Sequence, residues 1–347
     1  MDRPDDLLKD LLRSVSRSFY LTLRVLPKSI RPQVGLAYLL ARATDTIADT
    51  DAVPINRRME TLALYRDRIL GVSKKEIPLE GFSPPTKSST SLAEQLLLSR
   101  IEEALALLEG FRADDQQRIR EVISVIVSGQ ELDLQRFGCA TIQSIVALKT
   151  DAELDDYTWR VAGCVGEFWT HMCRAHLFTS VRGGNREKLD APSFLNNGIR
   201  FGKGLQLVNI LRDLPADLRK GRCYLPSEAL ASAGLKPHDL LDPSIEPDAR
   251  PVYDHYLATA HHHLVAGWEY TNAIPGRFVR LRLACAWPIL IGVKTLARLG
   301  RSPFLNPEER IKVSRPEIRR ILAGSLLASA WRPAWRKLFD KAAQRPP

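Results

Sequence analysis

VGLAYLLARATDTIADTD, residues Val34–Asp51, decides how the rest of the chain is read. Its first half is rich in Leu and Ala and predicts a mostly buried helix. Its second half sets Asp45 and Asp49 four residues apart, so a continuing helix places both carboxylates on one face about 6 Å from each other. Such a pair is either a solvated helix end, the usual place for acids, or a site for a cation.

A second pair favours the cation. In NILRDLPADLRKGRCYLP, Asn209–Pro226, Asp213 and Asp217 repeat the spacing. Arg42 precedes the first pair and Arg212 the second, with Arg219, Lys220 and Arg222 following. Carboxylates for a metal and guanidinium groups for an anion occur together, as a metal-bridged diphosphate requires. Mg²⁺ commonly takes one or two protein carboxylates and fills its shell with phosphate oxygens and water, and Arg pairs with the remaining oxygens. A glycosidase needs two carboxylates and no guanidinium cluster.

The fold class is all-α. Apolar residues recur at three and four through Leu92–Leu108, Ile119–Phe137, Ala258–Tyr270 and Leu281–Leu299, each read as a helix. Pro and Gly fall between these windows, and strand-like alternation is nearly absent. The stretch 71–90, rich in Gly, Pro, Ser and Lys, predicts a flexible surface loop. The expected organisation is a single domain over 1–347.

Composition bounds the function more loosely. Of 347 residues, 45% are hydrophobic and 26% charged, as in an ordinary globular chain. A net charge of +10 suits an anionic partner without choosing among nucleic acid, membrane and phosphorylated substrate. Five cysteines without C-x-x-C spacing argue against a disulfide framework or zinc site and for a reducing cytoplasm. The N-terminal MDRPDDLLKDLL lacks the pattern of a signal peptide. LACAWPILIGV, Leu283–Val293, is about half of the ~20 residues needed to span a bilayer and predicts a buried core helix.

Four motifs in order resemble the squalene and phytoene synthases, the head-to-head prenyl transferases. SVSRSFYLTLRVLP, Ser14–Pro27, resembles the family's phosphate-contacting S-R-S-F element, and YLLARATDTIADT its first aspartate motif. YTWRVAGCVG, Tyr157–Gly166, resembles Y-x-x-x-V-A-G-x-V-G, and QLVNILRDLPADLRKGRCYLP, Gln206–Pro226, the second aspartate motif. In SGQELDL, Gln130 stands where the family often carries Met, which weakens any role for Asp133.

The resemblance implies an isoprenoid-synthase bundle around a central apolar cavity. Asp45, Asp49, Asp213 and Asp217 would hold Mg²⁺, or Mn²⁺ in its place. Arg17, Ser18, Arg42, Arg212, Arg222 and Tyr224 would surround the diphosphates, with Gln206 and Asn209 orienting diphosphate or metal-bound water. Tyr157 would be the phenol nearest the carbocation. The implied reaction joins two farnesyl diphosphates into presqualene diphosphate and reduces it with NADPH to squalene. No Rossmann fingerprint is present; the resemblance puts NADPH at IKVSRPEIRR, with Lys312 and Arg315 as candidates. The same family offers phytoene, dehydrosqualene or hydroxysqualene without reductant, and a basic helical nucleic-acid-binding protein is the distant alternative.

Other features carry less. Consecutive His261, His262 and His263 point about 100° apart on a helix and do not converge on a metal. GIRFGKG, Gly198–Gly204, follows no strand, and close helix packing explains its glycines better than a nucleotide loop. The basic C-terminal segment 331–347, with Trp331, Trp335, Leu338 and Phe339 among cations, either rests on an anionic membrane or packs on the bundle. The expected location is the cytoplasm or the inner membrane surface. Neither nucleic acid nor an obligate protein partner is called for.

Overall fold

The computed structural model describes residues 11–16, 19–82, 89–308 and 311–343. Arg17 and Ser18 lie outside the described residues, as do 83–88 of the expected loop and 344–347 of the C-terminal segment. The described chain is helical except for two two-residue strands and its connections, as the periodicity predicts. It gathers into two compact units, Met1–Gly138 with Phe168–Ser180, and Cys139–Glu167 with Val181–Pro347.

In the first unit the helices are α1 (Leu12–Ser16), α2 (Phe19–Val25), α3 (Arg31–Ala48), α4 (Ile55–Leu70), α5 (Ser89–Ser99), α6 (Ile101–Glu109) and α7 (Ala113–Phe137). Pro32 sits in the first turn of α3, where its missing N–H costs nothing. α3 packs on α4, α5, α6 and α7. Two polar contacts lock this packing: Tyr65 Oη donates to the Leu40 carbonyl at 2.9 Å, and buried Arg58 donates to the Ala48 carbonyl at 2.8 Å, closing the end of α3. His176 Nε2 and Asp115 Oδ1, 2.8 Å apart, tie the segment 168–180 to α7.

Two sequence expectations change here. The apolar period over Leu92–Leu108 runs through a break, because Arg100 turns the chain between α5 and α6. The loop 71–90 ends early, since Ser89 and Thr90 already belong to α5, and Ile77 and Phe82 are buried.

The second unit holds β1 (Val146–Ala147), α8 (Asp151–Thr158), a π-helical turn at Trp159–Gly163, and the start of α9 (Cys164–His176), whose remainder counts with the first unit. There follow α10 (Gly184–Asp190), α11 (Pro192–Arg219), β2 (Arg222–Cys223), α12 (Ser227–Ser232), α13 (Glu246–Ala273), α14 (Val279–Leu299), α15 (Arg315–Ala328) and α16 (Arg332–Ala343). α11 packs along α13, α14 and the π turn. The contact with the π turn leaves no room for side chains: a Cβ on Gly166 would overlap the Gly198 carbonyl, and one on Gly202 the Ala162 carbonyl. The glycines of GIRFGKG thus serve close packing, as their sequence suggests.

α11 passes through Pro215, which cannot donate to the carbonyl of Leu211 four residues back. Tyr253 Oη on α13 supplies the missing donor at 3.0 Å, so the buried carbonyl stays satisfied. α14 contains the apolar segment Leu283–Val293 as a core helix, and no helix among the described residues is long and apolar enough to cross a membrane.

For α16, packing on the bundle is what the structure shows. Trp335 and Phe339 are buried, Trp335 stacks on Trp268 with centroids 5.4 Å apart, and its Nε1 donates to Asn272 Oδ1 at 2.8 Å. The amphipathic face read as a membrane face is therefore occupied by protein, and Trp331 alone of its two tryptophans stays exposed. Replacing Gly202 by Ala should cost about 1–3 kcal/mol, the range for overpacking against atoms that cannot yield. Gly184→Ala, where a Cβ meets nothing within 4 Å, should leave the melting temperature unchanged or slightly raised. Calorimetric melts of the two variants compare them directly.

Candidate active site

Arg42, Asp45 and Asp49 lie on one face at the end of α3, because a helix returns to the same side every three or four residues. Arg42 Nη1 stands 3.3 Å from Asp45 Oδ2, and Arg42 Nη2 is ion-paired with Glu94 of α5. The other Asp45 oxygen accepts a 2.6 Å hydrogen bond from Gln130 Nε2 of α7. Asp49 closes the helix, its N–H donating to the Asp45 carbonyl at 2.8 Å, and its side chain is exposed.

Asp45 sits in a recess, ringed by protein yet still 37% exposed. Desolvation pushes its pKa up to about 7, Asp49 and Glu94 add to the rise, and Arg42 opposes it. A carboxylate so unfavourably placed gains from any cation that binds there.

Sequence alone does not single out Glu94 or Gln130 as site residues. Glu94 lies within the apolar period of Leu92–Leu108, and Gln130 drew notice only as a departure from Met. Their partners are 52 and 85 residues away in the chain, a separation that leaves no local signal. Asp133 lies three residues past Gln130 on α7, half-buried.

In the second unit, α11 carries Gln206, Asn209, Arg212, Asp213 and Asp217. Asn209 Nδ2 donates to Gln206 Oε1 at 3.4 Å, joining that expected pair one turn apart. Arg212 is ion-paired with Asp213, its Nε 3.0 Å from Oδ1. Arg42 and Asp45 are paired similarly: in each case the first aspartate is held by a preceding arginine, three residues back for Asp45 and one for Asp213.

The chain then reverses at Gly221, whose φ of 78° and whose close approach to the Thr141 backbone exclude a side chain. β2 pairs parallel with β1, Val146 opposite Arg222, and so fixes Arg222 and the following Tyr224. Tyr224 stacks on Tyr157 with centroids 4.8 Å apart, both rings buried. Tyr157 lies in the last turn of α8, next to the π turn, a local widening of the helix often found at functional positions. Packing thus gathers Tyr157 and Tyr224, and the same unit carries Arg222, Asp213 and Asp217.

Over residues 12–317 the chain matches the Squalene/phytoene synthase family. The chain belongs to the squalene/phytoene synthase family. Among relatives, it is 30% identical over 271 residues to the presqualene diphosphate synthase of Sinorhizobium fredii, covering 77% of this chain and 78% of that protein. It is 28% identical over 297 residues to the bifunctional lycopene cyclase/phytoene synthase of Colletotrichum graminicola, covering 85% of this chain but 46% of that longer protein. A solved structure of TcSQS with the ligand BPH1237 shares the fold, with a TM-score of 0.75 at 21% identity over 100% of this chain and 93% of that one.

The donor set of this family member fits Mg²⁺. Each aspartate pair offers only hard carboxylate oxygens. Among the described residues no three His, Cys, Asp or Glu side chains are grouped so as to hold a metal ion. The remaining candidates, Lys312 and Arg315, are exposed near the start of α15, and Arg298 holds the Lys312 carbonyl. Arg298 also reaches Glu317, which forms a capping box with Ser314. The histidines diverge: His261 lies 5.7 Å from the Phe339 ring, whereas His263 approaches Arg200 at 3.5 Å.

Glu94→Gln should loosen Arg42 and weaken Mg²⁺-diphosphate binding by about 1.5–3 kcal/mol, the worth of a hydrogen bond to a charged group. Calorimetric titration measures the loss, and an unchanged affinity would remove Glu94 from the site.

Proposed function

We propose that the protein joins two molecules of farnesyl diphosphate head to head into presqualene diphosphate and reduces this with NADPH to squalene. The observation that carries the reading is the duplicated arrangement of an i, i+4 aspartate pair whose first member is ion-paired with a preceding arginine, Arg42 with Asp45 and Arg212 with Asp213. Two such places suit two diphosphates.

Each aspartate pair, Asp45 with Asp49 and Asp213 with Asp217, takes Mg²⁺ that carries a diphosphate. Mg²⁺ held there would supply Lewis-acid stabilisation of the departing diphosphate. Arg42, Arg212 and Arg222 neutralise the oxygens that the metal leaves, a stabilisation that grows as the carbon–oxygen bond breaks. Gln206 and Asn209 orient the diphosphate. The Tyr157 Oη guides the proton lost on cyclopropane closure towards the released diphosphate, and its stack on Tyr224 holds the phenol in place. Lys312 and Arg315 supply exposed cations for the phosphates of NADPH, which contributes hydride when bound.

A second reading stops at presqualene diphosphate. The Sinorhizobium fredii relative named for that product favours it. Separate incubations with farnesyl and with geranylgeranyl diphosphate, each with Mg²⁺ and with or without NADPH, distinguish the readings by product analysis. Squalene that appears only with NADPH supports the proposal; presqualene diphosphate under both conditions supports the second reading; phytoene from geranylgeranyl diphosphate would overturn both. Asp213→Asn should lower turnover by roughly 10²- to 10³-fold, the scale on which one preorganised electrostatic group acts, while the circular dichroism melt stays unchanged.

A further inference from the structure

The end of α15 presents an apolar surface that the bundle does not use. α15 turns Ser325 and Ala328 inward, and Trp287 Nε1 of α14 donates to Ser325 Oγ at 2.9 Å, which fixes the rotation of the helix. That rotation drives the adjacent side chains outward: Leu326 is 51% exposed, Leu327 80%, and Trp331, in the turn before α16, 66%. Three of the large exposed hydrophobic side chains thus fall within six residues, at one corner.

Between the acids Glu317 and Asp340 the charges have one sign. Ile318–Phe339 contains Arg319, Arg320, Arg332, Arg336 and Lys337 and neither Asp nor Glu. All five cations are exposed. Arg319 and Leu326 are seven residues apart on α15, as are Arg320 and Leu327, so each cation shares a helix face with the leucine two turns on. Arg332 also adds positive field against Arg282, whose pKa is lowered first by burial and then by Arg332.

We infer that the corner between α15 and α16 docks on an anionic bilayer, with Leu326, Leu327 and Trp331 entering the interface and the five cations meeting lipid phosphates. Five exposed cations with no acid among them complement an anionic surface. Leu inserts below the headgroups and Trp sits at their level. The apolar face of α16 takes no part, because Trp335 and Phe339 are buried against protein. The corner also lies past residue 317, where the family match ends. The inference rests on this surface and not on the reaction proposed above, so either can fail without the other.

Co-sedimentation of the full chain with phosphatidylcholine vesicles, with and without phosphatidylglycerol, tests it. Binding should require phosphatidylglycerol, weaken with added salt, and blue-shift an emission component that Trp331→Phe removes. The double variant Leu326→Asp, Leu327→Asp and, separately, Arg336→Glu with Lys337→Glu should each lose affinity roughly tenfold or more. Both should keep the wild-type melt and turnover. Absence of wild-type binding to phosphatidylglycerol vesicles, or retention of binding by both variants, would overturn the inference. So would a wild-type dimer that the leucine variant dissolves, because the corner would then be covered by a second copy of the chain.

Discussion

The second unit depends on one backbone contact, the approach of the Trp159–Gly166 turn to α11 with glycine on both sides. Gly166 meets the Gly198 carbonyl and Gly202 the Ala162 carbonyl at a distance that no Cβ allows. That contact fixes the register of α8 against α11, and with it the position of Tyr157 relative to the helix of Asp213 and Asp217. Lys203 of α11, 2.7 Å from Asp155 of α8, reinforces the same register. Steric exclusion acts over tenths of an ångström, so it positions a side chain more sharply than an exposed ion pair does.

Elsewhere, polar side chains make up what the helices lack. Pro215 would leave the Leu211 carbonyl without a donor in the middle of the second aspartate motif, and Tyr253 provides one. In the first unit, Arg42 is held between Asp45 and Glu94, and Gln130 takes the remaining Asp45 oxygen. The carboxylate thus has protein partners on both oxygens, while burial still raises its pKa against the pull of Arg42. Under the proposed function, a cation at Asp45 would compete with Arg42 and the Gln130 amide for its oxygens.

The legible parts of this molecule were those written locally. The i, i+4 spacing of Asp45 with Asp49 and of Asp213 with Asp217, and the placing of Arg42 and Arg212 within three residues before each pair, are readable in a single helix. The core helix at Leu283–Val293 and the packing glycines of GIRFGKG follow from composition over a few residues. What depends on distant partners was not legible. Glu94 and Gln130 acquire their roles from Arg42 and Asp45, far away in the chain. Trp335 reads equally well as a membrane residue until Trp268 and Asn272 are found beneath it. The break at Arg100 escapes because apolar period alone carries through a single turn residue.

The central claim is that each aspartate pair holds a metal-bound diphosphate. Anomalous diffraction from crystals soaked with Mn²⁺ and a non-hydrolysable farnesyl diphosphate analogue tests it most directly. The account predicts Mn²⁺ peaks within coordination distance of Asp45 or Asp49, and of Asp213 or Asp217, each bridged to analogue oxygens. Analogue bound with Mn²⁺ at neither pair, or at one pair alone under saturating metal, would contradict it.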